Sequence, residues 1–133
     1  MKIFIAYKFS GEVSREQLKE NLTRLADALE LSGHETYIHF RDAEKWGKIN
    51  LSPDEIIHGA LNELKNCDAI LALVMTAEKS EGLLLEVGFA IAGNKKIILA
   101  IKKDTQAIFL RALADEIIEY ENTDSLVAKV KRF

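Results

Sequence analysis

The sequence predicts an α/β fold, a three-layer sandwich in which helices cover both faces of a five-stranded parallel sheet. Short apolar runs alternate with longer helical patterns along all 133 residues, as in chains built from βαβ units. The runs at 68–74 and 96–101 are apolar almost throughout, as expected of strands buried on both faces of a parallel sheet. We therefore expect one domain, residues 1–133, with the strand order 2-1-3-4-5.

The first half of the chain contains two strands and two helices. Residues 2–7 have a strand pattern, residues 16–31 an amphipathic helical pattern that stops at Ser32-Gly33, and residues 35–40 a second strand pattern. Residues 41–51 are polar and have no periodicity, which predicts a mobile loop. Ser52 is followed by Pro53 and Glu55, the signature of a capped helix start, so a helix is predicted over 53–65.

The second half repeats the alternation. Strands are predicted at 68–74, 96–101 and 117–120, and helices at 82–94, 106–116 and 124–131. The helix over 82–94 has Ser80 as a candidate N-cap and has no polar face. A helix that is apolar all round is normally buried, so we expect this one to lie in the interior.

Glu86 is the single charge in that apolar helix. A buried carboxylate costs several kcal/mol unless it is paired or its pKa rises. One interpretation is a glutamate in the first turns that favours the positive end of the helix and reaches water. The other is a carboxylate that faces a cleft and performs chemistry.

Composition excludes several classes of partner. The chain is 48% hydrophobic and 29% charged, with a formal net charge of -3 and lysines spread along its length, so nucleic acid and acidic membrane surfaces are not expected to bind. Cys67 is the single cysteine, which rules out a disulfide within the chain. The three histidines lie on separate predicted elements, so we predict neither a metal site nor a cofactor.

The beginning of the chain and its apolar runs predict a cytoplasmic location. Residues 1–6 already form a strand pattern, which leaves no room for a signal peptide, and no apolar run is long enough to span a bilayer. A single cysteine also fits a reducing compartment.

The predicted strand order places a site at the carboxyl ends of strands one and three, where the order reverses. The loop after strand one combines an aromatic hydroxyl, a cation and small polar residues. These groups suit the binding of a sugar or an anion, and a purely structural role for the loop is an equally good interpretation. The loop after strand three ends at Ser80, where helix N–H groups can bind a phosphate or are simply capped. The first loop consists of Tyr7, Lys8, Phe9, Ser10 and Gly11.

Three segments together resemble the core motif of the nucleoside 2-deoxyribosyltransferase family. They are DAILALV at 68–74, SEGLLLEVGFA at 80–90 and NKKII at 94–98. The middle segment fits the pattern S-x-G-x-x-x-E-x-G-x-A, and the opening KIFIAYKF at 2–9 is similar to the family's first strand and substrate loop. The resemblance is nearest to the 2'-deoxynucleoside 5'-monophosphate N-glycosidases, and it implies a flavodoxin-like or Rossmann-like sheet.

The resemblance implies cleavage of the N-glycosidic bond of a nucleoside or nucleotide, with the sugar passed to water or to another base. Glu86 stands where the family has its nucleophile, Asp68 matches an assisting aspartate, and Ser80 matches a serine that contacts the 5'-phosphate. Tyr7 completes the candidate catalytic residues. The candidate substrate-binding residues are Lys8, Phe9, Ser10, Gly11, His39, Trp46, Ser80 and Gly82.

The first loop departs from the monophosphate glycosidases, which carry Gly-Ser-x-Arg where this chain has AYKFSG at 6–11. We expect hydrolysis rather than transfer, because the one candidate lid is the polar 41–51 loop, with Trp46 available to stack on a base. Two alternatives remain: an N-glycosidase that cleaves NAD, and a nucleotide-binding or sensing module without turnover. The resemblance also implies a homodimer or larger homo-oligomer. Small residues at Gly82, Gly88, Ala92 and Gly93 suit close helix packing between subunits or against the chain's own sheet.

Overall fold

Five parallel strands form one sheet in the order β2-β1-β3-β4-β5 in the computed structural model, which describes residues 1–9 and 14–133. The strands are β1 (Lys2–Ala6), β2 (Glu35–Tyr37), β3 (Ala69–Val74), β4 (Lys96–Lys102) and β5 (Glu116–Tyr120). The helices are α1 (Arg15–Leu31), α2 (His39–Asp42), α3 (Pro53–Lys65), α4 (Glu81–Ala92), α5 (Ile108–Leu113) and α6 (Thr123–Val130). The predicted α/β sandwich and its strand order are confirmed.

Two apolar cores lie on the two faces of the sheet. Along β1, Ile3 and Ile5 pack with α1 and α6, whereas Phe4 and Ala6 pack with α3 and α4. This alternation follows from the two-residue period of a strand, and it explains why the central strands are apolar at every position. Cys67 is buried in the second core, where it is a free thiol.

The capping residues at the starts of α3 and α4 are as predicted. Ser52 Oγ accepts the Glu55 N–H at 3.1 Å and the Glu55 side chain accepts the Ser52 N–H at 3.1 Å, which completes a capping box. Ser80 Oγ accepts the Leu83 N–H at 3.3 Å. None of the helices in the described ranges is long and apolar enough to cross a membrane.

The second strand and the segment after it differ from the prediction. β2 ends at Tyr37, because it pairs only with Lys2–Phe4 of β1, and the chain then turns into α2 and a 3-10 turn at Lys45–Gly47. The predicted mobile loop over 41–51 is thus partly helical. Short-range hydrogen bonds hold this segment, such as that from the Ile38 N–H to Asp42 Oδ2 at 2.9 Å. The helical pieces are too short to produce a periodic pattern of apolar residues in the sequence.

Helix α4 is buried on one side only within the single chain. Leu83, Val87 and Ala90 pack against the sheet, whereas Leu84 and Leu85 are 41% and 52% exposed. The expectation that every side of α4 lies in the interior is therefore wrong for the isolated chain. Helix α5 also has apolar side chains that face solvent, since Ile108 and Phe109 are exposed.

Candidate functional site

A cavity of about 390 Å³ opens at the carboxyl end of β1, between α2, α3 and the first turns of α4. This is the edge at which the strand order reverses, where parallel sheets bind ligands. The structure brings seven of the predicted site residues together around it: Tyr7, Lys8, Phe9, His39, Ser80, Gly82 and Glu86. Ser10 and Gly11 lie outside the described residues.

Glu86 contributes a carboxylate to the cavity from the second turn of α4. Burial raises the pKa of Glu86 to about 7, and burial is the only cause of the rise, so no cation among the described residues offsets it. A carboxylate with this pKa exchanges its proton near neutral pH. Glu86 therefore faces a cleft and does not project freely into water, which favours the second of the two sequence interpretations.

Tyr7 places its phenol in the same cavity. The Tyr7 Oη accepts a hydrogen bond from the Phe40 N–H at 3.0 Å. Burial raises the pKa of Tyr7, and the nearby charges of Glu44 and Glu86 raise it further. The phenol consequently stays protonated, and its O–H is a hydrogen-bond donor beside the two carboxylates.

One ring nitrogen of His39 is hydrogen-bonded, and the other has no partner among the described residues. Its Nδ1 shares a hydrogen bond of 2.9 Å with the Tyr37 hydroxyl, whereas its Nε2 is buried and has no partner among residues 1–9 and 14–133. The residue is only 6% exposed, and burial lowers the pKa of His39, which keeps the ring neutral. The Nε2 side of the ring faces Gly59 of α3, where a Cβ atom would lie 3.9 Å from Nε2, so this nitrogen is closed off from the cavity.

The amino end of α4 supplies groups that suit an anion. Ser80 Oγ uses a lone pair for the cap and keeps its O–H for donation. The N–H groups of Glu81 and Gly82 precede the first intrahelical bond, from the Leu84 N–H to the Ser80 carbonyl at 3.0 Å. Helix N–H groups left over in this way bind phosphate readily.

Two lysines flank that helix end. Lys79 lines the cavity directly before Ser80, and sequence analysis missed it because its segment has no pattern. Lys8 also lines the cavity, but its ammonium group is paired with Glu78. Gly82 faces open space, since a methyl group added there would meet no atom of the described chain within 4 Å.

Trp46 belongs to an aromatic cluster and does not line the cavity in the described part of the chain. Its ring packs edge-on against Phe40, with 5.2 Å between centroids, and Phe40 packs in the same way against Phe9 at 5.0 Å. The Lys19 ammonium lies over the Trp46 ring at 5.4 Å. The indole therefore anchors the segment after α2 and is not poised as a free lid.

Asp68 lies at the opposite edge of the sheet. It directly precedes β3, its Oδ2 accepts the Lys2 N–H at 2.8 Å, and its own N–H donates to the Lys2 carbonyl at 2.8 Å. A strand the length of β3 separates its two ends by roughly 20 Å. The expectation that Asp68 assists Glu86 is corrected, because a residue that begins a parallel strand cannot meet residues that follow its end. Asp68 instead joins β1 to β3.

Three glutamates line the cavity, Glu44, Glu81 and Glu86, and sequence analysis did not identify Glu44. It follows α2 in the polar segment that has no periodicity. The rule that sites collect at the carboxyl ends of strands applies to the segment after β2 as well, and that rule is the signal that points to Glu44. The described residues contain no group of three or more metal-ligating side chains.

A second cavity, of about 250 Å³, lies on the other side of the α4 amino end. It shares Lys8, Lys79, Ser80 and Leu83 with the first cavity, and its remaining wall is mostly apolar. Leu84, Ile108 and Phe109 form its outer rim.

Comparison with known proteins gives one family and a consistent fold. The model of the nucleoside 2-deoxyribosyltransferase family matches residues 7–129. The CMP N-glycosidase BcmB of Clostridium botulinum superposes with a TM-score of 0.73 at 24% identity, over 100% of both chains. A 2-deoxyribosyltransferase of Bacillus psychrosaccharolyticus has a TM-score of 0.71 at 16% identity, over 100% of this chain and 92% of that one. BlsM, known from a solution structure, has a TM-score of 0.70 at 21% identity, over 98% and 90%. The chain has no match among curated proteins.

Proposed function

Because the chain belongs to the nucleoside 2-deoxyribosyltransferase family, we propose that it hydrolyses the N-glycosidic bond of a nucleoside 5'-monophosphate with Glu86 as the nucleophile. The family and the CMP N-glycosidase among its structural neighbours support cleavage or transfer at such a bond. The observation that carries the finer proposal is the buried Glu86 carboxylate, which has no ion-pair partner within residues 1–9 and 14–133 and lies in a cavity that also contains a helix amino end.

In the proposed reaction, a Glu86 oxygen bonds to the anomeric carbon of the sugar as the bond from that carbon to the base breaks. Positive charge develops on the sugar in the transition state, and a carboxylate with little water around it stabilises that charge strongly. The Tyr7 O–H, which stays protonated, supplies a donor next to this reaction centre.

The groups at the start of α4 are proposed to hold the 5'-phosphate. Ser80 and Glu86 are six residues apart, so the two lie about 9 Å apart along the helix axis. A phosphate on Ser80 and the Gly82 N–H would therefore place the sugar over the second turn, within reach of Glu86. Lys79 adds a positive charge at the phosphate end.

A panel of substrates tests the proposal. Release of free base is measured from CMP, deoxycytidine 5'-monophosphate, deoxycytidine and NAD with wild type, Glu86→Gln and the exposed control Glu20→Gln. We expect release from a monophosphate with wild type and the control, and at least a hundredfold less with Glu86→Gln. Equal rates in all three proteins would refute the role of Glu86. Binding without release would favour the sensing module, and release from NAD alone would favour the NAD-cleaving enzyme.

Hydrolysis and transfer are separated by adding an excess of a second free base and following the labelled sugar. We expect most of the label as free sugar phosphate. Appearance of the label mainly on the added base would identify a transferase.

The assembly and location are also proposals. The apolar rim formed by Leu84, Ile108 and Phe109 supports a homodimer that covers it, since exposed apolar patches commonly mark interfaces. The free Cys67 thiol supports a cytoplasmic location.

A further inference from the structure

We propose that Glu44 is a second catalytic carboxylate, the general base that activates water against the sugar bound to Glu86. The inference rests on the proposed function, because it assigns the second half of the same reaction. It goes further by naming a residue from a different element of the fold, and by explaining why water is the acceptor.

Glu44 and Glu86 reach one cavity from separate elements. Glu86 belongs to α4 and Glu44 follows α2, and both line the cavity that Tyr7 also lines. The charges of both glutamates raise the pKa of the Tyr7 phenol, which places the phenol within electrostatic reach of each. Most glycosidases use a pair of carboxylates that flank the bond to be broken.

The two carboxylates have unequal environments. Burial raises the pKa of both, but the positive charge of Arg15 opposes the rise at Glu44, whereas no cation of residues 1–9 and 14–133 opposes it at Glu86. Pairs of acids in unequal surroundings are suited to different tasks in one reaction.

The backbone around Glu44 holds it in a defined place. Its carbonyl accepts the N–H groups of Gly47 at 3.0 Å and Ile49 at 3.1 Å. Lys45 and Trp46 then adopt positive φ values of 51° and 59°, a conformation that is unfavourable for residues other than glycine. The packing of Trp46 on Phe40 maintains this turn, so the backbone that carries Glu44 is held in place.

The proposed reaction has two halves. In the first half, an oxygen of Glu86 bonds to the anomeric carbon, and the electron pair of the broken bond leaves with the base, which takes a proton from solvent. In the second half, the oxygen of a water molecule bonds to the anomeric carbon, its proton passes to the Glu44 carboxylate, and the bond to Glu86 breaks. Glu86 departs as a carboxylate, and Glu44 later returns its proton to solvent.

The experiment uses rapid-mixing release of cytosine from CMP and from deoxycytidine 5'-monophosphate, with wild type, Glu44→Gln, Glu86→Gln and Glu20→Gln. Glu44→Gln is expected to release about one equivalent of base per site and then to turn over roughly 10²–10⁴-fold more slowly. The mass of the protein should rise by one sugar phosphate on Glu86. Azide, which attacks without giving up a proton, should restore turnover of Glu44→Gln and leave Glu86→Gln inactive.

The outcomes separate the two proposals. Wild-type turnover by Glu44→Gln, or loss of its burst together with its steady rate, would overturn the role of Glu44 and leave Glu86 untouched. No base release by wild type, or wild-type rates for Glu86→Gln, would overturn the proposed function itself. Far-ultraviolet circular dichroism and unfolding midpoints of all four proteins establish that each is folded.

Discussion

Replacing Glu86 with glutamine should stabilise the protein, and the gain should depend on pH. Burial raises the pKa of Glu86 from an ordinary 4.5 to about 7. This difference corresponds to about 3 kcal/mol between the protonated and ionised forms. The cost is borne by the folded state alone, because the unfolded chain leaves the carboxylate in water.

The pH window follows from the two pKa values. Below pH 4.5 the Glu86 carboxyl is mostly protonated in both the folded and the unfolded state, so no buried charge destabilises the folded state. As pH rises from 4.5 to 7, the unfolded state loses its proton first, so the folded state becomes progressively less stable. Above pH 7 both states are ionised and the full cost is present. Glu86→Gln should therefore raise the free energy of unfolding by about 2–3 kcal/mol at pH 8 and by much less at pH 4.5.

Urea unfolding of wild type and Glu86→Gln at pH 4.5 and pH 8 measures the effect. The other titratable groups facing the cavity are common to both proteins and cancel; they are Tyr7, Lys8, His39, Glu44, Lys79 and Glu81. Glu20→Gln is the control, since Glu20 is exposed on α1 away from the cavity and should change stability by less than about 0.5 kcal/mol. An equal change at both pH values, or a loss of stability at pH 8, would refute the reasoning.

Three other substitutions separate binding, positioning and assembly. Ser80→Ala and Ser52→Ala each remove an N-cap and should each cost about 1 kcal/mol of stability, but only Ser80→Ala should narrow the preference for a monophosphate over its nucleoside in kcat/KM. Trp46→Ala should lower kcat more than it raises KM, because the indole supports the turn that carries Glu44; a change confined to KM would instead favour direct stacking on the base. Phe109→Ser should shift a dimer toward monomer in sedimentation, whereas Leu31→Ser, at an equally exposed leucine elsewhere, should not; a wild-type monomer would contradict the proposed assembly.

The sheet and its helix starts could be predicted because their signals are local and repetitive. The apolar run of β3 and the residues Ser52, Pro53 and Glu55 specify their elements without reference to the rest of the chain. The sequence pattern also identified Glu86 and Ser80 as candidate site residues, because Glu86 lies on α4 and Ser80 is the N-cap of the same helix.

Other parts of the site depend on contacts between distant segments, which a pattern does not record. Asp68 was assigned to the site although it begins a strand, and the direction of a parallel strand places it at the far edge. The polar segment 41–51 suggested a lid in which Trp46 is available to stack on a base, but Phe40 provides a packing partner for Trp46 that only the fold reveals. Glu44 carries no signal of its own, since its importance comes from the wall it shares with Glu86.

The two outer strands of the sheet restrict how copies of this protein associate. β2 has only three residues, and β5 places Glu116 and Glu119 along its length, paired with Lys96 at 2.7 Å and Arg111 at 2.8 Å. Short or charged edge strands discourage pairing between sheets, which is the usual route to fibrils. Growth of a continuous intermolecular sheet is thus disfavoured at both ends. Mutations that neutralise Glu116 and Glu119 would open a path to aggregation that leaves the cavity beside Glu86 unchanged.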